Sequence, residues 1–183
     1  VELETYSIIR AGILPQEKKE FLLFDFGAMR TTLALVVGGE IYGLQSITQG
    51  TVDLVVSLAR SLSVNSERAE ELMRTHGVSG RSEEREIGQV ISPLIDRLIE
   101  QAKRMMSDLA EEFGRTVERT LLVGGGSRMP GLPEYLTESM GIEARALDSF
   151  RRVVYPPTVE PIIRQIVPSM GPAVGLALKG FGL

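Results

Sequence analysis

Phe21–Phe26 (FLLFDF) constrains the fold of this chain more than any other segment. It is an apolar run broken by a single carboxylate, and such a run suits a strand covered on both faces. Covering both faces requires a sheet with structure packed above and below it. A carboxylate within that run belongs at the mouth of the strand, which places Asp25 at an edge of the buried layer. Gly27–Arg30 supplies the turn that follows. Thr31–Val37 (TTLALVV) and Glu40–Ile47 (EIYGLQSI) then read as two more strands, joined by a tight Gly38-Gly39 hairpin. The front of the chain is therefore expected to be an antiparallel three-stranded meander.

Helical periodicity brackets this meander. Leu3, Tyr6, Ile9 and Ile13 mark a helix before it, and Val52, Val55, Val56, Ala59 and Leu62 form the apolar face of a helix after it. Ser66–Arg74 reads as a second short helix with Ser66 as its N-cap, followed by a turn-rich, exposed stretch over Thr75–Ser82 that contains His76. The longest helical signal runs from Val90 to Phe113, and Ser92-Pro93 within it predicts a restart or a kink. Arg119–Val123 is a short strand leading into Gly124-Gly125-Gly126. Pro130–Met140 is a helix closed by Gly141, Ile142–Leu147 a strand, Phe150–Pro161 irregular, and Ser169–Lys179 a closing helix. Residues 1–50 and 93–183 are expected to form one subdomain, and residues 51–92 a smaller helical insertion.

Composition removes several function classes. None of the 183 residues is cysteine, so thiol nucleophiles, disulfides and thiolate metal sites are excluded, and a single histidine, His76, excludes a multi-histidine centre. The net charge of -4 argues against nucleic acid as a partner. No apolar run reaches the ~18 residues of a membrane-spanning helix. The chain begins at Val1, without an initiator methionine or signal peptide, and reads as part of something longer.

Three constellations could carry chemistry. In Asp25-x-Gly27-x-x-x-Thr31-Thr32, a carboxylate at a strand end can hold magnesium through water, and a glycine turn lets backbone approach an anion. A hydroxyl of Thr31 or Thr32 can add a hydrogen bond to a phosphate oxygen. The plain alternative is a hairpin whose Asp merely satisfies turn amides. In Gly124-Gly125-Gly126-Ser127, bare backbone between strand and helix can lie against a flat base or sugar. Three adjacent glycines cost conformational entropy that an ordinary strand-to-helix turn does not require. In Glu71-Leu-Met-Arg74, the (i, i+3) spacing puts a carboxylate and a guanidinium on one helix face, where they can bracket a nucleoside or simply face solvent. No Ser-His-Asp arrangement can be built around His76, and no residue is assigned a catalytic role.

The order of these pieces resembles the second lobe of the actin/Hsp70/hexokinase-type ATPase fold. Within it the chain is most similar to the type IV pilus assembly protein PilM family, a relative of the cell-division protein FtsA. VELETYSIIRAG, FDFGAMRTTLALV, SPLIDRLIEQAKRMM, LLVGGGSRMPGLPEYLTESMGI and GPAVGLALKG carry the resemblance, which spans nearly the whole chain. It implies an α/β fold, ribonuclease H-like, with a mixed sheet, flanking helices and a small helical insert. It implies ATP and Mg2+ as cofactors, with Asp25, Gly27 and Thr31 near the metal and phosphates. Gly125, Gly126 and Ser127 would line the nucleoside, with Glu71 and Arg74 beside the adenine. Ala28-Met29-Arg30 stands where the most active ATPases of this fold carry more glycine, which implies a less intimate phosphate contact.

The same resemblance implies a cytoplasmic scaffold, peripheral to the inner membrane through its partners. One such partner is an inner-membrane assembly protein of the PilN kind, bound through the lobe that this chain lacks. Self-association of the lobe is a further expectation. The alternatives are an actin-like interaction module that binds no nucleotide, part of an FtsA-like protein, or part of a kinase of the same fold. Hydrolysis by this chain alone is not expected.

Overall fold

The structure, a computed structural model, describes residues 2–78 and 85–182. Five strands, β1 (Phe21–Phe26), β2 (Thr31–Val37), β3 (Glu40–Ile47), β4 (Arg119–Val123) and β5 (Glu143–Ala146), form one sheet in the order β3-β2-β1-β4-β5. The expected meander is present: β1 pairs antiparallel with β2, and β2 with β3. β4 and β5 extend the sheet in parallel, with Asp25 opposite Val123. The helices are α1 (Glu4–Gly12), α2 (Thr51–Ser61), α3 (Ser66–His76), α4 (Arg85–Phe113), α5 (Leu132–Met140), α6 (Glu160–Ile166) and α7 (Gly171–Gly180).

Strand alternation sorts β1 and β2 into two cores. Leu22, Phe24, Phe26, Leu33 and Leu35 face a large apolar cluster shared with α2, α4 and α5. Phe21, Leu23, Ala34 and Val36 face Ile8, Ile9 and Ile13 of the first helix and its exit. The sheet is thus covered on both sides, as the apolar run of β1 demands.

α7 lies against α1 at backbone distance. A Cβ placed on Gly175 would sit 1.8 Å from the carbonyl oxygen of Ser7, so only glycine fits. Arg10 of α1 donates to the Gly175 carbonyl at 3.1 Å, and Glu2 accepts from both Arg10 and Lys179. Those two cations hold the Glu2 carboxyl down at about 2. Gly175→Ala is expected to force α1 and α7 apart and lower stability by roughly 1–3 kcal/mol, the usual cost of overpacking. A urea unfolding midpoint equal to that of the wild type would show that the helices separate freely.

Three local expectations are corrected. α4 runs unbroken through Pro93 for 29 residues, with no restart there. A helix-interior proline costs about 3 kcal/mol, whereas fully burying Ile91 and Ile95 on either side of it returns about 1.5–3 kcal/mol each. The second boundary of the expected insertion therefore falls inside a helix. The N-cap of α3 is Asn65, whose side chain accepts from Arg68 N at 2.9 Å, and Ser66 is the first helical residue. His76 is the last residue of α3 and is half-buried rather than in an exposed loop. Part of the turn-rich stretch expected over residues 75–82 lies outside the described residues.

Candidate functional site

β1 and β4 run parallel side by side, so their C-terminal ends open at the same edge of the sheet. Asp25 emerges from one and Gly124–Gly126 from the other. They meet in a cavity of about 260 Å3 whose walls include Asp25, Gly27, Thr32, Gly124, Gly125 and, from α1, Glu4. A second cavity of about 230 Å3 lies on the other side of the glycine segment, between Thr51, Glu70, Met73, Arg74 and Arg128. Gly125 borders both cavities. One sheet edge thus carries an acidic chamber and a chamber walled by arginine and methionine, separated by bare backbone.

The three glycines have different physical reasons. Gly124 has φ +82°, and a Cβ there would sit 2.6 Å from Asp25 Oδ1. Gly126 packs beneath Phe26, with a would-be Cβ 2.5 Å from the ring. Gly125 differs from both, because a Cβ there would meet nothing within 4 Å. Its missing side chain leaves open space rather than making room for a neighbour. A short 3-10 turn over Gly125–Arg128 follows, and Ser127 is absorbed into it: its hydroxyl donates to Gly124 O at 2.7 Å.

The hairpin residues also divide. Asp25 pairs with Thr32 across β1 and β2, so these two side chains share the face that lines the cavity. Thr31 points to the opposite face, is fully buried, and donates to Gln49 O at 2.7 Å. Gln49 in turn donates from its side chain to Leu94 O of α4 at 2.6 Å. The turn is closed by Gly27 N donating to Arg30 O at 3.1 Å. Its outward carbonyls, Gly27 O and Ala28 O, accept from Thr51 N and Val52 N of α2, each at 3.0 Å. Gly50 makes that junction possible, since a Cβ there would lie 2.3 Å from Ala28 O.

On α3, Arg74 lines the second cavity with Glu70, while Glu71 is exposed and bonded to Arg68. Of the residues singled out in the sequence, Asp25, Gly27, Arg74, Gly125 and Gly126 line the two cavities. Thr31, Ser127 and Glu71 are engaged elsewhere. The sequence reading left Thr31 and Thr32 open as the hydroxyl that reaches a phosphate, and it missed Glu4, Glu70 and Arg128. Strand parity from Asp25 would have selected Thr32, but nothing local to Glu4 signals that α1 packs over the sheet.

Burial, helped by the nearby negative charge of Glu4, pushes the Asp25 carboxyl up to about 6. Both effects disfavour a second negative charge in a cavity that already holds one. A cation would relieve this, and the donor set narrows which one. No cluster of three or more Asp, Glu or His ligands exists among the described residues. A site with one or two carboxylates, here Asp25 with Glu4 beside it, fits magnesium, which keeps several waters and takes further oxygens from phosphate.

The family model described as "Type IV pilus assembly protein PilM" matches residues 1–181. No curated protein sequence matches the chain. Among solved structures, a PilM-PilN type IV pilus biogenesis complex is similar at TM-score 0.81 and 26% identity, covering 98% of this chain and 52% of that one. MreB5 of Spiroplasma citri bound to AMPPNP is similar at TM-score 0.67 and 15% identity, over 92% of this chain and 61% of that one. Ta0583, an archaeal actin homolog, is similar at TM-score 0.62 and 20% identity, over 94% and 50% respectively. The chain spans between half and three-fifths of each of these structures, and its fold is actin-like. With nearly every residue matched, the chain belongs to the type IV pilus assembly protein PilM family.

Proposed function

We propose that this chain is the nucleotide-binding lobe of a PilM-like scaffold, taking Mg-ATP across the two cavities at the edge of the sheet. One observation carries the reading: Asp25 and Gly125, a hundred residues apart in sequence, border the same cavity. In this reading the adenosine lies over Gly125 and Gly126 toward Glu70, Met73 and Arg74. The phosphates enter the chamber of Asp25, Gly27 and Thr32. Magnesium, when bound, neutralises phosphate charge, and Asp25 holds it through water. Glu71, engaged with Arg68, takes a supporting place beside the base pocket, while Thr31 and Ser127 brace the two loops from behind.

ATP bound at one lobe arrangement more tightly than another shifts the population of lobe positions. That shift would regulate affinity for a PilN-like partner held by the remainder of the full-length protein. No described helix is long and apolar enough to cross a membrane, so inner-membrane association is proposed to run through such partners, from the cytoplasmic side. Residues 51–92 are proposed as the inserted subdomain that carries the base pocket.

The full-length protein at about 100 times the Mg-ATP dissociation constant is expected to gain about 2.7 kcal/mol of stability. Thermal unfolding with and without Mg-ATP reads this directly. No shift at millimolar Mg-ATP would instead favour an actin-like interaction module in which Thr31, Gly126 and Ser127 serve packing alone.

A further inference from the structure

A third cavity, of about 410 Å3, lies between the exit of α1 and the edge strand β5. Gly12 ends α1 at its wall, Glu17 comes from the loop that follows, and Arg119, Arg145, Asp148 and Arg151 supply the other polar side chains. No residue lines both this cavity and the Asp25 chamber. Glu4 of α1 borders that chamber and Gly12 this one, a helical rise of about 12 Å apart. Strand parity brings the arginines here. Arg119 and Leu121 of β4, and Arg145 opposite Leu121 on β5, share the sheet face that carries Phe21 and Leu23.

Donors outnumber acceptors in this cavity. The Arg119 guanidinium lies 5.9 Å from the centre of the Phe21 ring and donates to one oxygen of Glu17. Arg151 donates to the other oxygen of Glu17 at 2.8 Å. Their hydrogen bonds and charges, those of Arg119 foremost, hold the Glu17 carboxyl below the usual carboxylate range, so it stays ionised as a clip between two guanidinium groups. Glu17 has then given both oxygens, while Arg119 Nε–H still meets no acceptor among the described residues. Asp148 spends one oxygen on Phe150 N at 3.0 Å. Arg145 is exposed, and its side chain enters no hydrogen bond or ion pair among the described residues. Three guanidinium groups face two carboxylates, which leaves one positive charge in excess. We propose that this cavity is an oxyanion site, which takes a carboxylate or a phosphate between Arg145 and Arg151, backed by the charge of Arg119. The planar fork of a guanidinium matches two oxygens of such a group. The Glu17 clip fixes Arg151 beforehand, which lowers the ordering cost of binding. The proposal stands independently of the nucleotide reading.

The test titrates sodium phosphate and sodium succinate into the full-length protein by calorimetry, at an ionic strength held constant with chloride. Wild type, Arg145→Ala and Arg145→Lys are compared. The wild type is expected to bind at least one of the two anions with millimolar affinity or better, and Arg145→Ala to lose about tenfold or more. Arg145→Lys should recover part of the loss, since it restores the charge but not the fork. The urea midpoint of Arg145→Ala should equal that of the wild type, because the side chain it removes has no partner. Tighter binding of phosphate places the ligand among phosphate esters, and tighter binding of succinate places it among carboxylates; either supports the site. No binding of either anion up to tens of millimolar overturns it. So does equal affinity in wild type and Arg145→Ala, which is the result that binding at the nucleotide edge would give.

Discussion

Gly125→Val in the full-length protein is expected to fold with an unchanged unfolding midpoint and to bind no measurable nucleotide. The reason is the empty space above Gly125: a Cβ there meets no atom within 4 Å, so the branched side chain grows into open space at the wall that borders both cavities. The neighbouring glycines give the opposite result. Gly126→Ala drives a methyl to 2.5 Å from the Phe26 ring and 2.8 Å from the Thr51 methyl, and is expected to cost about 1–3 kcal/mol. Gly124 carries a positive φ as well as a contact with Asp25, so any side chain there is strained twice over. Calorimetric titration beside urea unfolding separates the two kinds of glycine. Normal Mg-ATP affinity in a folded Gly125→Val protein would remove the nucleoside from this wall.

Asp25→Asn is expected to have opposite effects on stability and binding. The wild-type carboxyl titrates at about 6 when folded, against 3.8 for the ordinary group. Between those values the native state holds a proton that the unfolded state has released. Stability contributed by the neutral acid is therefore complete below about pH 4 and is lost as pH rises through 6, a total of roughly 3 kcal/mol. Asn never ionises and escapes that loss. The ligand-free variant should be more stable than wild type at pH 8, with the difference closing by pH 4. At the same time Mg-nucleotide affinity should fall about 10–100-fold, the range for lost metal-supporting groups. Urea melts at the two pH values decide the first half. A stability difference that does not change with pH would mean that the Asp25 charge is not its source.

The parts of this molecule legible in the sequence are those set by local patterning. FLLFDF reads as a strand buried on both faces because nearly every side chain is apolar, and Gly38-Gly39 reads as a hairpin because its residues have φ +62° and +95°. The strand-to-glycine transition at Val123 likewise announces itself. What was not legible depends on phase. Asp25 and Thr32 share a face through the antiparallel register; the residues alone left Thr31 and Thr32 open, and the family resemblance selected Thr31, which faces the other way. One residue along a helix turns a side chain by roughly 100°, enough to put Glu70 in the cavity and Glu71 with Arg68. Pro93 misleads because local propensity says break, while the buried stripe through Ile91 and Ile95 says continue. Glu4 reaches the site only because α1 packs across the sheet, a tertiary fact with no local signature.

The seam between the β1–β2 turn and α2 has a mechanical meaning. Two backbone hydrogen bonds at 3.0 Å tie the turn to the first two residues of that helix. Gly50 allows no spacer between them. Any force that tugs the turn toward an incoming charge must either snap those ties or haul the helix along. The seam thus makes the turn and the first turn of α2 one mechanical unit.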